Sequence, residues 1–305
     1  MQNLKVYHVG AIEGDSAYLL VGDNTAILCD SGFAFAGEKL AQNIKEILGD
    51  RKLDFILLTH SHYDHVLGSP YVKKLYPYAK TVAGEYAANI FEKPSAKALM
   101  RELDKNNAVA HGVLEYDDLI DNLTVDIAVK DNDVITLGDL KFTVLALPGH
   151  TKCSVGFYLA ENRLLIGCET LGLYTGENDV MPCFLVGYEM AKDSIKRVMA
   201  MDIETILVPH FGLLEGVEAK IYLKKSLENA IDVTEDILDM LEGGADDKEA
   251  FEYFSDRFYK GKLKEVYPLD AMTLNTNIMI NLIKKELPLC ETSLCATIQE
   301  EVIIL

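Results

Sequence analysis

What most constrains this chain is where its histidines and acids fall relative to its hydrophobic runs. Up to about residue 213, short β-rich runs alternate with turns: "LKVYHV", "AYLLV", "TAILCD", "FILLTH", "KTVAG", "LTVDIAVK", "KFTVLAL", "VGFYLA", "RLLIGCE" and "TILVPH". Several of them stop on a group able to bind a cation or move a proton. "FILLTH" closes on His60, "TILVPH" on His210, "RLLIGCE" on Glu169, and His150 follows "LALPG" directly. Strand ends open into loops, where side chains are free for chemistry rather than packing.

Helices separate the strand runs. "GEKLAQNIKEILG" puts Leu40, Ile44, Ile47 and Leu48 on one face before Gly49, and "EMAKDSIKRVMAM" carries a similar stripe. "DNDVITLGDLKF" reads as a hairpin, as does the "AEN" turn before "RLLIG". Strands in two batches, each with helices, predict an α+β fold in four layers, an αββα sandwich. After Phe211 the strand signals vanish. "IYLKKSLENAIDVTEDILDMLEGG" is amphipathic, with Leu223, Leu227, Ile231, Ile237, Leu238 and Leu241 near one face. "DDKEAFEYFSDRFY" follows with Asp246 and Glu249 in capping-box positions, and a third helix is expected over "AMTLNTNIMINLIKKEL", ending at Pro288. The chain therefore divides into a domain over 1–213, which carries the strand-end donors, and a mainly helical extension over 214–305. Packing on the body is the plainest role for those helices; roofing a cleft is the alternative.

Composition narrows the partners. With 49% hydrophobic and 25% charged residues the 305-residue chain is an ordinary globular one. Its formal charge of −19 disfavours nucleic-acid phosphates and anionic membrane surfaces, because binding either calls for a basic patch. No run approaches a membrane span, and "MQNLKVYHVG" lacks the apolar centre of a signal peptide. The cysteines at 29, 153, 168, 183, 290 and 295 form no C-x-x-C pair, so reduced thiols and a cytoplasmic location are expected. A small-molecule substrate is the expected partner, and a homo-oligomer stays open.

The densest signal is "HSHYDH", which holds three of the seven histidines and an aspartate within six residues. Core packing does not explain it, because imidazole packs no better than Leu or Phe. Spacing of two in an extended chain puts His60 and His62 on one side, while Asp64 and His65 fall where the next helix begins and turn toward a second point. Together with His150, His210 and Glu169, this makes two sets of three nitrogen or oxygen donors and one bridge, the requirement of a dinuclear divalent site. His8 and His111 stand outside the pattern.

These residues resemble the metallo-β-lactamase-fold hydrolase superfamily, through "HSHYDH", "PGHT" and the last strand-end histidine in the usual order, with "ILCDSG" before them resembling its early strand-end aspartate motif, over residues 1 to 213. The resemblance implies that His60, His62 and His150 hold one ion and that Asp64, His65 and His210 hold the other. Asp30 would orient a ligand histidine from behind. The family usually bridges its two ions with an aspartate, whereas this chain has Glu169. A metallo-β-lactamase-like domain with a helical extension also resembles thioesterase-like members whose terminal helices cover the active site. Two ions sharing a water lower its pKa to about 7 and yield a bridging hydroxide, with Asp64 steering the proton. Tyr63 and Tyr174 are candidate donors to an oxyanion or leaving group, with loop packing as the competing role. The function expected is hydrolysis of a small ester or thioester, with a phosphoesterase or a mononuclear-iron dioxygenase as alternatives. Zinc suits the nitrogen-rich set; iron and manganese suit it also.

Overall fold

A computed structural model describes residues 3–287. Cys290 and Cys295, and the Pro288 stop, lie outside the described residues. The first sheet runs β1 (Lys5–His8), β2 (Tyr18–Val21), β3 (Ala26–Cys29), β4 (Phe55–Leu58), β5 (Lys80–Gly84) and β6 (Ile127–Val129), in that spatial order. Its first two pairings are antiparallel and the next three parallel. The later strands are β7 (Val134–Leu137), β8 (Leu140–Ala146), β9 (Val155–Leu159), β10 (Leu164–Ile166), the short pair β11 (Leu173–Tyr174) and β12 (Val180–Met181), then β13 (Thr205–Val208) and β14 (Gly212–Glu215). The second sheet is ordered β14-β13-β10-β9-β8-β7, with β10 and β13 parallel.

Period-two patterning builds the layers. In β3, Ala26 and Leu28 face an outer core while Ile27 and Cys29 face the space between the sheets. In β13, Leu207 faces that inner space while Ile206 and Val208 face the opposite outer core. A strand buried on both faces reads as a continuous hydrophobic run, which is why these strands stand out in the sequence. Helices cover both outer faces. On the first lie α1 (Gly37–Leu48), α2 (Tyr63–Val66), α3 (Ser69–Leu75), α4 (Glu85–Phe91) and α5 (Pro94–Ala110). On the second lie α6 (Tyr188–Met199) and the start of α7 (Val217–Glu242). The expected αββα sandwich is what the chain forms.

Three further helices, α8 (Asp247–Phe258), α9 (Gly261–Val266) and α10 (Leu269–Glu286), build a fourth core with the far half of α7 and with α6. The capping box at Asp246 and Glu249 is present, with both of its hydrogen bonds made. Two local expectations need correction. Strand character continues past Phe211, because β14 pairs with β13 from Val208↔Gly212 to Thr205↔Glu215; a glycine and a glutamate at the ends of a short, half-exposed edge strand hide it. The buried face of α7 carries Tyr222, Ser226, Asn229, Val233 and Thr234 as well as Leu223 and Ile237, so it is rotated from the leucine stripe and partly polar. Asn229 explains one part of that: its side chain donates to Val180 O at 2.7 Å. Among the described residues no helix is long and apolar enough to cross a membrane.

The loop after β3 and the helix pair α2–α3 are locked together by backbone bonds. Ser31 N donates to His65 O at 2.7 Å and Gly68 N to Gly32 O at 3.1 Å. A Cβ on Gly68 would fall 1.9 Å from Ser31 O, a backbone atom that cannot swing aside. Gly68→Ala is therefore expected to destabilise the protein by about 2–3 kcal/mol, in the overpacking range, read as a lower urea midpoint with unchanged m-value.

Candidate metal centre

The donors collect at one end of the sandwich. His60 follows β4, Glu169 follows β10, His210 follows β13 and His150 follows β8. In each sheet the strands concerned run the same way, so their carboxyl ends deliver side chains to one place. His62 precedes α2 in extended conformation, while Asp64 and His65 lie in its single turn. Asp30 and His210 both have left-handed backbones, at φ of 52° and 62°. Non-glycine residues adopt that conformation at a cost, and such strain concentrates at functional sites.

Two donor groups result: His60, His62, His150 and Glu169 in one, and Asp64, His65 and His210 in the other, with ligand atoms in each within 4.8 Å of one another. Glu169 touches both. Its Oε2 lies 2.6 Å from His150 Nε2, 3.3 Å from His60 Nε2 and 3.7 Å from His65 Nε2, and its Oε1 lies 3.1 Å from His210 Nε2. Donors bound to one tetrahedral ion at about 2.0–2.1 Å stand about 3.3 Å apart, so most of this spacing suits coordination.

Hydrogen bonds behind the rings decide which nitrogen faces inward. His65 Nδ1 bonds Asp30 Oδ2 at 2.8 Å, His150 Nδ1 bonds Cys183 O at 3.0 Å and His210 Nδ1 bonds Gly14 O at 2.8 Å. Thr59 Oγ1 donates to Asp30 Oδ2 at 2.9 Å, which leaves it to accept from His60 Nδ1 at 3.1 Å. Each of these four rings therefore donates outward from Nδ1 and turns its Nε2 toward the centre, while His62 turns Nδ1 inward, 3.0 Å from His150 Nε2, the arrangement a metal requires. The fit is tested by what lacks a partner: His60 Nε2 and His65 Nε2 are buried with no hydrogen bond. Buried polar atoms are rarely left so, and a divalent cation would satisfy both. The residues fit the group.

Electrostatics separates the rings. Burial dominates at His60 and holds its pKa down to about 4, and burial with His150 beside it pushes His62 well below the ordinary value. At His65 burial opposes the charged form, but Asp64, Asp30 and Glu169 outweigh it and raise the pKa to about 9. His150 is raised in the same way, burial being overcome chiefly by Glu169. The Glu169 carboxyl, surrounded by imidazoles, is held well below the usual carboxylate range despite its burial.

Above this centre lies a cavity of about 480 Å³ whose walls include His62, Asp64, Glu169 and His210. Much of the remaining wall comes from α5 and from α9, α10 and the segment joining them, with the loop of residues 12–14, Phe33 and Leu185 completing it, so the terminal helices roof the site. Tyr63 lines the cavity, and its hydroxyl accepts from Asn107 Nδ2 at 2.9 Å, leaving its own proton to donate. Tyr174 is not brought there. Its hydroxyl donates to Asn178 Oδ1 and accepts from Asn178 N, and its ring packs edge-on against Phe211. Sequence reasoning missed Tyr267, which lies between α9 and α10, lines the cavity, and accepts from Asn275. It missed His111 also, which reaches the wall from the end of α5. The roof rests on the site's own loop: Lys262 pairs with Glu13, and a Cβ on Gly14 would meet Val266 Cβ at 2.4 Å.

Residues 13–210 match the family model described as the metallo-beta-lactamase superfamily. Glyoxylase B2 of Dictyostelium discoideum is 32% identical over 130 residues, which is 43% of this chain and 39% of the relative. Hydroxyacylglutathione hydrolase of Ectopseudomonas mendocina is 32% identical over 126 residues, 41% of this chain and 36% of the relative. The chain thus spans well under half the length of these two relatives. A metallo-beta-lactamase family protein of Thermus thermophilus superposes with a TM-score of 0.62 at 20% identity, over 92% of this chain and 93% of its own, and shares the fold.

Loading the metal-free protein with a divalent ion at pH 7 is expected to release protons. His65, with a pKa raised to about 9, and His150, raised above its ordinary value, carry protons at pH 7 that coordination must displace. An indicator dye in weak buffer measures this, and the release should shrink as the starting pH rises toward 9.

Proposed function

We propose that this chain, which belongs to the metallo-beta-lactamase superfamily, is a hydrolase that holds two divalent ions and cleaves a small ester or thioester. The observation that carries the reading is the single carboxylate of Glu169, which reaches donors of both groups at the floor of a covered cavity. His60, His62 and His150 would hold one ion, Asp64, His65 and His210 the other, with Glu169 between them. A relative named hydroxyacylglutathione hydrolase supports carbonyl hydrolysis as the reaction. The glutamate's extra methylene is accommodated here, since both of its oxygens meet imidazole nitrogens. Zinc suits the imidazole-rich group, and the absence of a thiolate from either group suits manganese and iron equally.

When bound, the ions supply a water acidified to a pKa of about 7 and a Lewis acid for the substrate oxygen. The chain's own groups do the rest. Asp64 lines the cavity with its side chain 19% exposed, so its carboxylate can pass a proton between the centre and the substrate. Tyr63 and Tyr267 flank the same space as phenols whose pKa values burial pushes up, which keeps them protonated as donors to an oxygen that gains charge. The roof excludes bulk water and so strengthens each of these interactions. Reduced thiols at Cys29, Cys153, Cys168 and Cys183 fit the cytoplasmic location in this reading.

Elemental analysis after reconstitution with zinc, manganese or iron is expected to find close to two ions per chain. Turnover of a panel of acyl-thioesters, lactones and nitrophenyl phosphoesters should favour the carbonyl substrates. His150→Ala should lose metal and turnover together with its fold retained; normal metal content in that variant would remove His150 from the ligand set. Glu169→Asp keeps charge and donor type and should retain both ions, with reduced rate. Glu169→Gln should weaken the ion at Asp64, His65 and His210 by more than the about 10–100-fold that losing an outer partner costs. Equal metal titrations for the two variants would exclude a bridging role.

A further inference from the structure

The cavity walls away from the metal donors have an unusual balance of chemistry. Carboxylates stand at the rim on Glu13, Glu265 and Asp270, against Lys264 as the one lysine on the wall and no arginine, among the described residues. Lys264 stands between two constraints: its ammonium lies 6.0 Å over the Tyr259 ring, and Glu265 is its neighbour in the chain. Lys262 is close by but is taken up by Glu13 and by Glu265 Oε2 at 3.6 Å. Carboxylates and phosphates are recognised by arginine forks or clustered lysines, and nothing here forms one.

What the walls do offer is apolar surface and neutral amides. Leu103 from α5, Leu185 from the segment before α6, and Leu274 and Ile278 from α10 converge on the space, with Asn106 and Asn275 as uncharged polar groups. A cavity of about 480 Å³ falls inside the about 300–1,000 Å³ range of sites that hold one small organic molecule. Burying an unpaired carboxylate in such a wall costs more than the contact returns, whereas an alkyl chain gains from every carbon it buries.

We propose that this cavity selects a substrate with an apolar acyl group and an uncharged leaving group, and disfavours esters of anionic thiols such as glutathione. The proposal rests on the ester or thioester reading above and narrows it. It also separates this chain from the relative named hydroxyacylglutathione hydrolase, whose substrate carries two carboxylates.

Binding of non-hydrolysable thioethers to the metal-loaded protein tests the proposal apart from catalysis. S-hexyl-N-acetylcysteamine is expected to bind about tenfold tighter than S-hexylglutathione, and about tenfold tighter than S-methyl-N-acetylcysteamine. Equal or tighter binding of the glutathione adduct, or no gain from the hexyl chain, overturns it. Asp270→Lys and, as a second variant, Glu265→Lys should each narrow the gap by tightening S-hexylglutathione; if neither moves the ratio, the charge argument fails. Hydrolysis of the matching hexanoyl thioesters separates the two claims. Turnover that prefers glutathione removes this proposal and leaves the hydrolase standing. Binding in the expected order without turnover of any ester or thioester removes the hydrolase reading and leaves the cavity's selectivity.

Discussion

One buried carboxylate organises the centre. Asp30 sits at the end of β3, 3% exposed, and meets Thr59 N and Thr59 Oγ1 after β4 and His65 Nδ1 in α2. A charge removed from water is tolerable only when its lone pairs are filled, so these contacts are obligatory rather than decorative. They also tie three chain segments that are far apart in sequence. Through Thr59 the carboxylate sets the tautomer of His60, and directly it sets that of His65, so one side chain prepares a nitrogen for each donor group. The left-handed backbone at Asp30 is the strain accepted for this placement.

Much of the scaffold was legible because burial leaves period-two and period-3.6 marks. Strands buried on both faces are continuous hydrophobic runs, and α1 and α6 carry clean stripes. The donors were legible because a metal needs rare residue types, and rare types at strand ends are conspicuous. The rest obeys no local rule. Helix α5 buries only Met100, Asp104 and Ala108 over its 17 residues, too few to give a stripe. Helix α9 is six residues long and β14 is a half-exposed edge strand. Tyr267 lies between two helices in no periodic pattern, and its approach to the site comes wholly from how the terminal helices dock. Tyr174 illustrates the converse: the sequence offers it as a candidate donor, but its hydroxyl is satisfied within its own loop.

The docking that brings Tyr267 to the cavity is itself partly polar. Tyr222 of α7 donates to Gly172 O at 2.8 Å, and Asn229 bonds both Asp179 and Val180. These grip the segment that leaves Glu169, so α7 serves as a brace for that carboxylate as well as a base for the roof. A purely leucine-faced helix would pack there without fixing that loop, since apolar contact is non-directional.

The loop of residues 12–15 serves two masters. The Gly14 carbonyl holds His210, and the same glycine lies against Val266 of the roof while its neighbour Glu13 grips Lys262. The cover is therefore no interchangeable module. A designer grafting another helical cap onto this body, to admit a different substrate, would have to transplant or redesign the loop with it. A cap carrying no match for Val266 and Lys262 would leave one of the seven donors on an unsupported hinge.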